Sequence, residues 1–117
     1  MSNHNKDVLL KENAAILKGN HEGFLELCTD DVRWIFIGDR TLEGKDAIRE
    51  YMAETYVEPP RFDVQDLVAE GDLVIAIGEI TLKNKEGKDV HYDYTDVWRF
   101  SNGLMAELRG FVIETLT

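Results

Sequence analysis

Alternation of apolar and polar positions is clearest between His91 and Glu114. Strand side chains point to opposite faces in turn, so Tyr92, Tyr94, Asp96, Trp98 and Phe100 share one side. His91, Asp93, Thr95, Val97 and Arg99 share the other, wetter side. Ser101-Asn102-Gly103 predicts a tight turn, because Asn and Gly both tolerate the positive φ of a primed hairpin. A second long strand then runs to Glu114. Upstream, Phe62 to Glu70 and Leu73 to Lys83 read as strands around a Gly71-Asp72 turn, and Asn84 to Lys88 makes the next turn.

The first half of the chain has helical spacing instead. Val8, Leu9, Leu10, Ala14, Ala15, Ile16 and Leu17 recur through Asp7 to Lys18, and Gly19 supplies the stop. Residues 1–6 are polar and expected to fray. Asn20 suits the N-cap of a second helix, His21 to Cys28, with Glu22 in its first turn. Val32 to Ile37 predicts a strand with Val32, Trp34 and Phe36 on one face. Arg33, Ile35 and Ile37 take the other, so both faces are expected to be largely covered. Gly38 to Gly44 reads as a loop. A third helix runs from Lys45 to about Tyr56, burying Ala47, Ile48, Tyr51 and Met52, and Pro59-Pro60 ends it.

Helices grouped before a run of antiparallel strands indicate an α+β fold, with three N-terminal helices packed on one face of a curved, mainly antiparallel sheet. The interior of such a cone is a natural small-molecule pocket. The whole of residues 1–117 forms one domain, long enough to bury a core without staples. Hydrophobic content of 44% and charged content of 31% belong to an ordinary globular chain. A formal net charge of -10 argues against nucleic acid or an anionic membrane surface as a partner.

A single cysteine, Cys28, forms no internal disulfide, and its place in an apolar row makes it a packing residue. No stretch suits a signal peptide or a membrane span, so a cytoplasmic location is expected. His4, His21 and His91 lie far apart in sequence, no Cys/His cluster exists, and neither glycine-containing loop matches a phosphate loop. No metal and no cofactor is therefore expected.

Asp96 is the residue that points to chemistry. A carboxylate in a row of aromatics must be paired, hydrogen-bonded or protonated, unless it lies near a sheet rim and stays solvated. Glu12 falls beside the apolar stripe of the first helix, either at the stripe's edge or turned inward. Trp34, Phe36, Tyr94 and Trp98 are plausible pocket walls or plain core. Leu108, Val112 and Glu114 share alternation parity near the expected mouth, whereas Glu79 reads as a solvent-facing carboxylate.

Several short segments in this order resemble the nuclear transport factor 2-like superfamily, and within it the SnoaL-like polyketide cyclases and ketosteroid isomerases. They are Leu17-Lys18-Gly19-Asn20, Asp30-Asp31-Val32-Arg33-Trp34, Glu43 through Tyr51, Glu70-Gly71-Asp72-Leu73-Val74, and Asp96 through Gly103. The resemblance covers nearly the whole chain. It implies a single SnoaL-like domain forming a cone-shaped barrel, commonly a homodimer, with a small hydrophobic molecule as ligand.

Ketosteroid isomerases keep one Asp neutral in an apolar site so that it donates to an enolate oxygen, and Asp96 matches that position. The partner tyrosine of the family's first helix falls on Glu12. The general-base Asp falls on Phe36, or on Ile35 with a one-residue shift, and neither side chain abstracts a proton. Steroid isomerisation by that mechanism is therefore not expected. The acid and arginine arrangement of limonene-epoxide hydrolases is not recognisable, since Arg99 lies across the strand from Asp96.

Two functions follow from the resemblance and the residues together. In one, Asp96 and Glu12 meet inside the cone as catalytic carboxyls, and their coupling raises one pKa to make a general acid for isomerase, cyclase or hydrolase chemistry. In the other, the domain is a non-catalytic ligand-binding or dimerisation module and Asp96 is a structural group.

Overall fold

A computed structural model of the chain describes residues 2–56 and 58–115. The β5–β6 hairpin forms as its pattern predicts, with β5 spanning Asp89–Ser101 and β6 spanning Leu104–Glu114. Asn102 and Gly103 at its tip have φ of 51° and 81°, the left-handed pair that a two-residue primed turn needs. Ahead of it, β3 (Arg61–Glu70) and β4 (Leu73–Lys83) complete a meander. β4 pairs without interruption from Leu73 opposite Arg99 to Lys83 opposite Asp89, while β3 carries an irregularity between Val64 and Asp66.

The first strand, β1 (Cys28–Phe36), lies parallel to β6, with Trp34 beside Leu108 and Phe36 beside Gly110. Its other edge pairs with a short strand, β2 (Arg40–Glu43). The sheet order is β2-β1-β6-β5-β4-β3, so one parallel junction joins the N-terminal half to the meander.

Three helices cover the inner face: α1 (Ser2–Leu17), α2 (His21–Leu25) and α3 (Gly44–Thr55). α1 packs over β3 and β4, α3 over β1 and β2, and α2 lies against both helices. Asn20 caps α2 as expected, accepting from Gly23 N at 3.0 Å. Phe24, Leu25, Val32, Ile48, Met52, Val74 and Met105 fill the space between layers and are fully buried. Exposed Arg49 of α3 reaches Glu22 of α2 at 2.6 and 3.0 Å. Such a solvent-screened surface pair adds little to stability, so burial dominates the docking of the helices. Among the described residues, no helix is long and apolar enough to cross a membrane.

The structure corrects several boundaries. α1 already begins at Ser2, so residues 2–6, expected to fray, are helical, and Asn5 is buried; Met1 lies outside the described residues. α2 stops at Leu25, and Cys28 opens β1 instead of closing a helix. The expected loop from Gly38 to Gly44 contains β2, a strand of mostly exposed residues that only its pairing with β1 defines.

The helix face differs as well. α1 buries Asn5, Val8, Leu9, Glu12 and Ile16, while Leu10 and Leu17 are exposed. The outer face of β1 is not covered: Arg33 and Ile37 are exposed. Ile35, Ile37, Ile75, Ile77, Val97, Phe111 and Ile113 thus leave an apolar strip along the sheet's outer side.

Candidate functional site

Register places Asp96 in a notch. Its cross-strand neighbours are Ala76 on β4 and Gly110 on β6, both too small to fill the space around its carboxyl. A Cβ at Gly110 would stand 3.4 Å from Asp96 Oδ1 and 3.4 Å from the Phe36 ring, so glycine keeps the notch open. Alternation along β5 puts Tyr94 and Trp98 on the same inner face, both buried. From the opposite layer, α1 turns Glu12 inward and leaves it only 4% exposed.

These groups surround a cavity of about 80 Å³ between the helices and the sheet. Trp34, Phe36, Trp98 and Leu108 line its base, with Tyr94 and Val112 beside them. Asn13 and Ile16 of α1, Tyr51 of α3, Tyr56, Phe62, Ile80 and Leu82 complete the wall. No Lys, Arg or His is among the lining residues. The aromatic rings hold one another edge-on: Trp34 lies 5.9 Å from Phe36, 6.0 Å from Tyr51 and 6.4 Å from Trp98, at interplanar angles near 80°.

The electrostatics follow from the missing counter-charge. Burial pushes the Asp96 carboxyl from its ordinary 3.8 up to about 7. Burial also holds Glu12 well above the usual carboxylate range, and Asp96 adds to this by like-charge repulsion. The shift of Asp96 itself comes from burial. Tyr56 and Tyr94 are raised too, first by burial and further by the fields of Asp96 and Glu12. Burial similarly takes the Cys28 thiol up to about 12, leaving it an inert packing group beside Phe24.

Two buried polar atoms of residues that line this site have no hydrogen-bond partner among the described residues: Glu12 Oε2 and Trp34 Nε1. The indole of Trp34 therefore does not satisfy Asp96. Buried polar groups are rarely left unpaired, so both atoms are exceptions to the usual pairing.

Of the residues singled out from the sequence, Asp96, Glu12, Trp34, Phe36, Tyr94, Trp98, Leu108 and Val112 meet at this one cavity. Glu114 does not. It is exposed at the end of β6 opposite Tyr92, too far along the strand to reach the wall. Glu79 is solvent-facing and accepts from Gln65 at 2.7 Å. Phe62, Ile80 and Leu82 were not foreseen, although Phe62 pairs with Ile80 and Ile80 with Tyr92 on the aromatic face. Tyr56 had no periodic signal, because it follows the last turn of α3. Among the described residues, no group of His, Cys, Asp or Glu side chains is placed to hold a metal ion.

Chemically, the site offers two carboxyls able to donate and accept a proton in one largely apolar pocket. A carboxyl near neutrality donates and accepts a proton with little bias at ordinary pH. Its volume lies below the roughly 300–1,000 Å³ of drug-sized ligand pockets, so the space as it stands admits only a small group.

Comparison with known proteins agrees with this architecture. An uncharacterised nuclear transport factor 2-like protein from Burkholderia pseudomallei superposes with a TM-score of 0.81 at 20% identity, covering 94% of this chain and 90% of that one. A candidate SnoaL-like polyketide cyclase from a Jannaschia species gives 0.81 at 19% identity, covering 95% and 86%. A candidate ketosteroid isomerase from Kribbella flavida gives 0.83 at 17% identity, covering 99% and 82%. At these identities the likeness establishes the fold alone. No curated protein sequence matches the chain. The model of the SnoaL-like domain family, however, matches residues 12–108, from the buried acid of α1 to the cavity wall of β6. The chain therefore belongs to the SnoaL-like domain family.

Proposed function

We propose that the cavity binds a small hydrophobic molecule and that Asp96 and Glu12 act on it as a shared-proton acid–base pair, in isomerase, cyclase or hydrolase chemistry. The observation that carries this reading is the enclosure of both carboxyls in one apolar cavity without a counter-cation, with Asp96 held at about 7. Glu12, held well above the ordinary carboxylate range, keeps its proton and donates, while Asp96, which changes state near pH 7, is the member of the pair that accepts. Strongly shifted carboxyls in a cleft are candidates for a functional site.

The test is a turnover screen of small cyclic enones and epoxides, followed by proton NMR in deuterated buffer. Deuterium incorporation or product formation is expected with the wild-type protein. Asp96→Asn should fold normally and lose the activity by at least 100-fold, the usual size of an acid–base group's contribution. Turnover that survives in both Asp96→Asn and Glu12→Gln would remove the carboxyls from the chemistry.

The outer side of the sheet supports a second element of this reading, that two copies pair through it. Ile113 is 70% exposed and Phe111 41%, beside Ile37 and Ile77. Large apolar side chains left exposed on one sheet face, here with Thr95, Asp93 and Arg109 among them, suit association with a second copy. Phe111→Asp should convert a dimer to a monomer in sedimentation experiments; a wild-type chain that sediments as a monomer at all concentrations would end this part of the proposal.

A further inference from the structure

A cavity that holds acids and no bases is missing a charge. Asp96 from β5 and Glu12 from α1 line it, and no Lys, Arg or His side chain does. Ala76 and Gly110 flank Asp96 across the strands, and a Cβ at Gly110 would meet Asp96 Oδ1 at 3.4 Å, so the space beside that carboxyl stays open. Glu12 is 4% exposed, and its Oε2 has no hydrogen-bond partner among the described residues. Arg40 stands 5.9 Å from the Tyr51 ring centre, but it pairs with Asp39 and lines no part of the cavity. The rest of the wall is largely apolar, with Phe36, Tyr51, Phe62 and Trp98 among its rings.

We infer that this cavity is also a binding site for a small alkylammonium ion, its nitrogen seated against Asp96 and its carbons against the surrounding rings. A buried carboxylate without a counter-charge is costly, and a monovalent cation supplies what the wall lacks. An ammonium group donates up to three hydrogen bonds and accepts none. That suits an acid whose shift has burial as its one cause, with no donor or cation acting on it. Aromatic walls favour an organic cation through the ring quadrupole, and its alkyl part buries apolar surface that a hydrated sodium ion does not have. A divalent metal ion asks for about six oxygen ligands, and among the described residues no group of acids, histidines or cysteines is placed to hold one. An alkylammonium ion held here occupies the space of a neutral substrate and excludes it.

The proton on Asp96 selects between the two occupants. The titratable groups facing it are Glu12 of α1, Tyr51 of α3, Tyr56 beyond it and Tyr94 on its own strand, while β1, β3, β4 and β6 contribute none to the wall. Burial raises Glu12 and the three tyrosines, so Glu12 keeps its proton, the tyrosines stay neutral, and Asp96 alone changes charge near pH 7. Below that pH the cavity is uncharged and takes a neutral molecule. Above it, one negative charge matches one cation. Cation affinity therefore rises with pH through about 7, and a bound cation lowers the Asp96 midpoint.

The cavity's 80 Å³ corresponds to about three heavy atoms, at roughly 30 Å³ per water molecule in the liquid. Ethylammonium is the matching probe, with ethanol as its neutral analogue. Sodium chloride at equal ionic strength controls for general attraction to a chain of net charge -10. Asp96 is followed by carboxyl-carbon NMR. Ethylammonium is expected to lower its midpoint by about one pH unit relative to sodium, and by linkage to bind about tenfold more tightly at about pH 8 than at about pH 5. Ethanol should not lower the midpoint. Asp96→Asn, which keeps the side chain's size, should weaken ethylammonium binding at about pH 8 by about tenfold or more.

An Asp96 midpoint near 7 that ethylammonium moves no further than sodium does would overturn the inference and leave the acid–base site standing. Binding of ethylammonium to Asp96→Asn with wild-type affinity would overturn it too, since the ion would then sit elsewhere. A midpoint near 4 in sodium chloride, the usual value for a solvated acid, would remove the desolvated carboxyl, and both readings would fall together.

Discussion

Replacing Asp96 with asparagine keeps the side chain's size and removes its ability to ionise. The consequence for stability can be worked from the cavity. In the unfolded chain Asp96 titrates near its ordinary 3.8, and in the folded protein burial takes it to about 7. Below about pH 4 both states hold the proton and the shift has no effect. Between about pH 4 and 7 the native state holds a proton that the unfolded state has released, so stability falls as pH rises. Above about pH 7 the cost is constant. Roughly 3 pH units at about 1.36 kcal/mol each give on the order of 4 kcal/mol. This is an upper figure, since Asp96 keeps partial exposure and water at the cavity screens its charge.

Asp96→Asn should therefore match the wild type near pH 4 and exceed it by up to about 4 kcal/mol at pH 8. With a urea slope of about 2 kcal/mol/M, that is a rise of about 2 M in the midpoint. Exposed Glu22 and Asp89, lowered by Arg49 and Lys83, lose stability in the opposite direction on acidification. They are common to both proteins and cancel in the difference. Glu12→Gln should show the same sign, and the two gains should not add, because the Asp96 charge is part of what raises Glu12. A constant offset between Asp96→Asn and wild type from pH 4 to 8, or a less stable variant at pH 8, would refute the desolvated carboxyl.

Other substitutions test the frame around the site. A Cβ at Gly78 would run into the Asp63 carbonyl oxygen of β3, so Gly78→Ala should cost on the order of 3 kcal/mol and lower the thermal midpoint by roughly 10 °C in calorimetry. Gly103→Ala forces a side chain into the left-handed region at φ 81° and should cost about 1 kcal/mol by urea unfolding. Leu10→Lys should change stability by less than about 0.5 kcal/mol, whereas Leu9→Ala should cost about 2–4 kcal/mol. Equal effects at the two leucines would contradict the observed orientation of α1.

The hairpin was legible because its two signals agree: Asn102-Gly103 dictates the turn, and the aromatic alternation fixes which side of β5 is inward. Asp96 inherits its place from that register. α1 was less legible because Leu10 and Leu17 are as apolar as Leu9 and Ile16, while two inward positions, Asn5 and Glu12, are polar. Its buried face has helical spacing only once those polar residues are admitted. Of the two, Glu12 lines the cavity, whereas Asn5 is buried away from it. β2 gave no alternation to read, since tertiary pairing with β1 alone defines it. Glu114 had the right parity but lies too far along β6, and parity carries no information about depth.

The central claim is that two carboxyls share a desolvated cavity, and a carboxyl-carbon NMR titration of Asp96 and Glu12 reads it directly, with Asp96→Asn and Glu12→Gln for assignment. The account predicts that Asp96 changes state near pH 7, that Glu12 remains protonated well above the ordinary Glu range, and that removing Asp96 lowers Glu12. Both carboxyls titrating independently near 4, the usual value for solvated acids, would contradict it.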